Sequence, residues 1–311
     1  MKQKAPSKAD IFEVGPRDGL QSEEVIFSVE ERVRLVELLV EAGVGNIEVG
    51  SFVKAEKIPQ LQNTEQVVDI LNKKFPKKSR KVVFWAFIPN IYGLEKAVSA
   101  GVDGASFFVG ASDTFCKKNV NRSQKELLSE LPAMLKKAKK EKLKTRVYLS
   151  NLTYCPYEGP VKAQKIYSLV KKISAMHPDE IVLSDTTGDA NPKSLKKVLE
   201  LVLKIVSPKK LALHLHDTRG LALTNILEGL YHGITRFDSS VGGMGGCPYA
   251  PGASGNLATD DLVNMLAGMG LNSKINLGAI AKASLFVESK LGRKLQSKVL
   301  RTLERSMTQN A

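Results

Sequence analysis

The chain has 311 residues, 43% hydrophobic and 25% charged, the balance of a globular protein long enough for two domains or one large α/β barrel. Its formal charge of +14 comes from Lys and Arg scattered in pairs such as Lys136-Lys137 and Lys171-Lys172, with no reading motif or aromatic platform between them; this argues against nucleic-acid binding and suits a small anionic ligand. No apolar run approaches the roughly 18 residues of a membrane span, the N-terminus has no signal-peptide pattern, and Cys116, Cys155 and Cys247 make no disulfide framework, so a cytoplasmic protein with reduced thiols is expected.

In chain order, short β-rich runs alternate with helix-period runs, the pattern of parallel β/α units. Strand one is Ile11 to Val14, followed by a helix from Val29 to Ala42 that Gly43 ends. Strand two is Asn46 to Val49, with a helix over Thr64 to Lys74, and strand three, Lys81 to Phe87, precedes a helix over Ile91 to Ala100. Strand four is Gly104 to Val109; its long basic helix, Ser123 to Lys142, carries Pro132 and is expected to bend there. Strand five is Thr145 to Leu149 with a helix over Val161 to Ala175, and strand six, Glu180 to Leu183, leads through SDTTGD to a helix that starts at Asn191-Pro192. Strand seven, Leu211 to Leu215, is followed by a helix over Ala222 to His232, and strand eight, Arg236 to Asp238, by one starting near Thr259. The expected fold is a single (β/α)8 TIM-barrel domain over residues 1–311, with the barrel at about 11–270 and extra C-terminal helices at about 275–305.

In such barrels the chemistry sits at the C-terminal ends of the strands and in the loops after them. Those positions hold Arg17-Asp18 after strand one, Glu48 on strand two, Asp185 after strand six, His214 and His216 on strand seven, and Cys247 and Asn256 after strand eight. In LALHLH the residues alternate, so both imidazoles leave one face of a strand and can share one ion. The glycine-dense loop from Gly242 to Gly255, which holds Cys247, reads as a mobile lid outside the core. Cys116 and Cys155 read as small buried hydrophobes.

The segments GPRDGLQ, IEVGSFV, CPYEG, HLHDT and GGCPYAPGASGNLATDDLV together resemble the 3-hydroxy-3-methylglutaryl-CoA lyase family over about Ile11 to Val299. RDG and HxH are shared across the wider group of metal-dependent lyases and acyl-CoA condensing enzymes, whereas the cysteine loop is specific to the lyase. The resemblance implies a divalent cation, Mg2+ or Mn2+ with Zn2+ as the weaker alternative, held by Asp18, His214, His216 and Asn256. It implies retro-Claisen cleavage of an acyl-CoA with Arg17 on the enolate oxygen, Cys247 or His214 as proton donor, and Glu48 and Asp185 orienting Arg17 or a metal-bound group. Gln21, Arg17, Arg293 and Lys294 are the implied substrate contacts, the latter two with the CoA phosphates, and a homodimer is the implied assembly. Ser22, Arg219 and Gly292 stand where the animal lyases commonly have Asn, Tyr and Asn, so acyl-CoA contacts and acyl specificity are where this chain departs. A condensing synthase of the isopropylmalate or homocitrate type is the rival reading, opposed by Leu20, where those enzymes usually carry glutamate, and by the GGCPYA loop.

Overall fold

A computed structural model describes residues 6–246 and 255–309. Eight parallel strands close into a barrel in chain order: Asp10–Glu13, Asn46–Ser51, Val83–Phe87, Gly104–Gly110, Lys144–Ser150, Glu180–Asp185, Leu211–Leu215 and Arg236–Ser239, the first pairing with both the second and the last. The (β/α)8 barrel expected from the alternation is therefore the observed fold, with strand ends within a residue or two of those read from sequence, the usual scatter of terminal residues.

Local sequence explains the elements. Ser28 and Glu31 form a reciprocal capping box at the start of helix Val29–Glu41, and Ser123 and Glu126 repeat it for Gln124–Lys140. That second helix runs unbroken through Pro132. On strand seven, Leu211, Leu213 and Leu215 join the large core between strands and helices, while Ala212 packs with Tyr148 and Val182 inside the barrel. The alternation expected for LALHLH is thus realised, and both histidines lie on the inward face with Ala212.

Three features were not read from the sequence. A helix, Asp113–Val120, precedes Gln124–Lys140, with Ser112 as its cap, and a two-stranded hairpin pairs Tyr154–Cys155 with Gly159–Pro160. In addition, the first residues of the glycine loop are not an open lid: Val241–Gly243 form a buried 3-10 turn, and Met244 is buried as well. Gly242 has φ +62 and lies so close to Leu295 that an added Cβ would stand 2.3 Å from its Cδ1, so glycine here allows close packing rather than motion. After Thr259–Gly268, helices Leu277–Leu291 and Lys298–Gln309 form the C-terminal extension. No helix among the described residues is long and apolar enough to cross a membrane.

Candidate active site

Strand one ends at Glu13, and the chain then makes a single π-helical turn over Gly15–Gly19 in which the amides of Arg17, Asp18 and Gly19 all point at the Val14 carbonyl, at 3.0, 2.7 and 3.3 Å. Such wide turns recur at functional sites because they re-aim side chains without ending the helix. Here Arg17 and Asp18 are delivered side by side: the Arg17 Nη1 donates to Asp18 Oδ1 and its Nε to Glu48 Oε2 on strand two. The guanidinium lies 5.1 Å from the Phe87 ring and 5.6 Å from the Tyr148 ring, so it is fixed by two carboxylates and two aromatic faces.

Across the barrel mouth, strand seven brings His214 and His216. One nitrogen of each ring and one Asp18 oxygen lie within 4.8 Å of one another, close enough for a common ion. The loop after strand eight returns to strand seven, where Asp217 N donates to Gly255 O at 2.7 Å and Leu257 N to Leu215 O at 3.2 Å; between them Asn256 pairs with His216. The Asn256 amide nitrogen donates to Asp18 Oδ2 at 3.0 Å, and Gln21 Nε2 to Asp18 Oδ1 at 3.2 Å.

The electrostatics suit a cation. Burial alone would raise the Asp18 carboxyl, but Arg17, helped by His214 and His216, outweighs it and holds the group at about 2. Burial, reinforced by His214, lowers His216 to about 3, so its ring is neutral with a lone pair to give. His216 Nδ1 is buried with no hydrogen-bond partner among the described residues, the kind of orphaned donor atom that a bound ion accounts for. Carboxylate, imidazole and amide donors without thiolate fit a hard or borderline divalent ion.

Beneath the histidines lies a charged cluster that the sequence reading missed. Asp238 on strand eight accepts from His214 Nδ1 at 3.3 Å, and its other oxygen meets Arg146 Nη2 at 2.8 Å. Arg146 is fully buried inside the barrel, stacked 3.6 Å from the Phe12 ring, with Glu180 at 2.8 Å. Burial would raise Asp238, but Arg146 and then His214 keep it below its ordinary value. A proton held on Nδ1 leaves the His214 Nε2 lone pair facing Asp18, 4.0 Å away. The only sequence signal was a carboxylate at the end of a strand, and nothing local paired it with residue 214.

Other expected residues are placed elsewhere. Asp185 accepts from the amides of Ala190 and Asp189 at 2.9 and 3.2 Å, shaping its own loop rather than meeting Arg17; burial raises its carboxyl to about 6 despite those two bonds. Arg293 makes a bidentate pair with Glu23 at 2.6 and 2.7 Å, and Lys294 is taken by Glu288 and Glu304. Neither lines the cavity over the barrel mouth. Glu23 also accepts from Gly245 N at 3.1 Å, so Arg293 braces the base of the glycine loop. Cys247 lies outside the described residues. Cys116 and Cys155 are buried, bonded to Gly110 O and Ser112 Oγ.

Residues 8–287 match the model of the HMGL-like family. The chain is 44% identical over 294 residues, 94% of its length and 89% of the relative's, to the mitochondrial hydroxymethylglutaryl-CoA lyase of Macaca fascicularis. The HMG-CoA lyase structure from Bacillus subtilis superposes with a TM-score of 0.93 at 39% identity, covering 97% of this chain and 100% of that one. An HMG-CoA lyase from Acinetobacter baumannii, in complex with coenzyme A and 3-methylmalate, gives 0.88 at 34% identity and 95% of both chains.

Proposed function

Because the chain belongs to the hydroxymethylglutaryl-CoA lyase family, we infer that the site just described is where it cleaves 3-hydroxy-3-methylglutaryl-CoA to acetoacetate and acetyl-CoA. The observation that carries this reading is the convergence of Asp18, His214 and His216 at the barrel mouth, with Arg17 locked against Asp18 and Glu48.

Asp18, His214 and His216 would hold the ion, joined by Asn256 once its side-chain amide turns its oxygen inward; Mg2+ or Mn2+ suits the donor set better than Zn2+. When bound, such an ion lowers the pKa of the substrate's tertiary hydroxyl. Loss of that proton drives cleavage of the bond between C2 and C3: the hydroxyl carbon becomes the ketone of acetoacetate, and the electron pair passes to the acetyl-CoA enolate. Arg17 stays charged throughout and is aimed by Glu48, so it meets the enolate oxygen without reorganising. Cys247 or His214 then delivers a proton to the enolate carbon. Gln21, which reaches Asp18 and lines the cavity, orients the acyl end. A homodimer is the assembly implied by the family resemblance.

Acetoacetate release from the CoA thioester tests the reading. Treatment with EDTA is expected to lower it at least ~100-fold, and Mg2+ or Mn2+ to restore it. Undiminished release after chelation would remove the ion from the mechanism, and absence of release with either ion would remove the reaction.

A second expectation concerns Asp238. Changing it to Asn leaves the shape but no longer fixes the His214 tautomer, so Mn2+ affinity should fall ~10- to 100-fold, the usual cost of losing a partner behind a metal ligand. Direct Mn2+ titration of the apoprotein reads this. Unchanged affinity would show that Asp238 serves only to neutralise Arg146.

A further inference from the structure

The lysines scattered in pairs along the chain are gathered by the fold. Because the barrel strands are parallel, their N-terminal ends, with the turns that lead into them, all lie at the end of the barrel opposite the mouth. Lys81 stands two residues before strand three, Lys144 opens strand five with Lys142 in the turn before it, and Lys209 and Lys210 lead directly into strand seven. Lys274 lies against the turn before strand two, where its carbonyl oxygen would stand 2.6 Å from a Cβ on Gly43. All six are exposed, and the lysine ion pairs among the described residues involve other positions. Lysines in a last helical turn, such as Lys139 and Lys140, are accounted for by the negative helix end, but these six lie outside the α-helices.

Carboxylates at this end offset little of the charge. Asp103 is shared by Lys77 and Arg80, and Glu180 by Arg146 and Arg236, while Asp10, Glu141 and Asp179 stand exposed among the lysines. The edge of the same face carries two exposed apolar side chains. Tyr231, 70% exposed, ends helix Ala222–Tyr231, and Met269, 45% exposed, directly follows helix Thr259–Gly268. The connections here are short: three residues part Ala100 from Gly104 and Lys140 from Lys144, and four part Tyr231 from Arg236. A broad cationic face without long loops to form a cleft, and with apolar residues at its edge rather than between its charges, suits a plane of negative charge better than a nucleic-acid strand.

We propose that this end of the barrel docks on an anionic phospholipid surface, with the lysines over the headgroup phosphates and Tyr231 and Met269 at the boundary between headgroups and acyl chains. The mouth and its ion site then face away from the lipid, so substrate reaches them from solution. Two apolar side chains give little insertion, and the attachment is therefore reversible and sensitive to salt.

Cosedimentation of the full chain with vesicles of phosphatidylcholine alone, or mixed with phosphatidylglycerol, tests this. The wild type should bind the mixed vesicles and not the neutral ones, and should lose at least ~10-fold in affinity between ~0.05 and ~0.5 M salt. Lys142→Glu with Lys144→Glu, and Lys209→Glu with Lys210→Glu, should each lower affinity at least ~10-fold, and Tyr231→Ser by less. Lys162→Glu with Lys193→Glu makes the same change of charge at helix starts on the mouth side and should leave binding within about twofold of wild type. Acetoacetate release without vesicles should be at the wild-type level in every variant, which reports an intact fold. Failure of the wild type to bind the mixed vesicles, or equal loss in the mouth-side pair, overturns the proposal; the second result would reduce the effect to net charge. Tighter binding to random-sequence double-stranded RNA than to vesicles, lost in the same two lysine pairs, would give the face to nucleic acid and also overturn it.

Discussion

His216→Ala is expected to abolish detectable lyase activity and to weaken Mn2+ binding at least ~100-fold while leaving the apoprotein close to its wild-type stability. The expectation follows from how little else the imidazole does. Its Nδ1 has no hydrogen-bond partner among the described residues, so truncation strands no buried donor or acceptor. The strand itself is held by the backbone, with His216 N donating to Asp185 O at 3.1 Å and residue 216 paired with Asn256, and alanine keeps both. The lost packing of one imidazole at a strand end costs about 1 kcal/mol, well within the margin of a domain of this size. Thermal melting of the metal-free proteins, an Mn2+ titration and an acetoacetate assay read the three parts separately. Full activity with one ion bound per chain would sink the ligand assignment, and a large drop in melting temperature would show that the ring is structural.

Arg17→Gln is expected to lower turnover at least ~100-fold with little change in KM, because the guanidinium is required where charge develops in the transition state rather than in the bound substrate. The same change also removes the one cation shared by Asp18 and the fully buried Glu48, and breaking a buried pair from one side costs about 3–5 kcal/mol. Melting temperature should therefore fall as well. Two controls separate the effects: in Arg17→Gln with Glu48→Gln the stranded carboxylate is gone, so stability should largely return while turnover does not. Lys at position 17 keeps a charge but not the fork that spans Glu48 and Asp18, and should recover only part of the rate. If turnover holds and KM alone rises, Arg17 binds substrate and stabilises no enolate.

Glu48 and Asp185 look alike in the sequence, since each is a carboxylate at the end of a barrel strand. Only the fold separates them: Glu48 lies on strand two, paired with strand one whose following turn carries Arg17, and accepts from it, whereas the loop after Asp185 curls back so that the amides of Asp189 and Ala190 claim both its oxygens. Arg293 and Lys294 show the same limit, because a basic pair after a helix reads as free until Glu23, Glu288 and Glu304 are brought beside it.

What the sequence determined by itself is whatever a local signal encodes. The period-2 and period-3.6 alternation, with Gly43 closing one helix and Pro192 and Thr259 opening others, defined eight β/α units, and HLH on one strand face placed two imidazoles together, because the pleat fixes side-chain direction over a few residues. What only the tertiary structure decided are the pairings across the barrel: Asp238 behind His214, Arg146 behind Asp238, and Asp18 facing strand seven. Those partners lie 24, 92 and 196 residues apart, and their meeting depends on strand register and barrel closure, which no periodicity in a single segment carries.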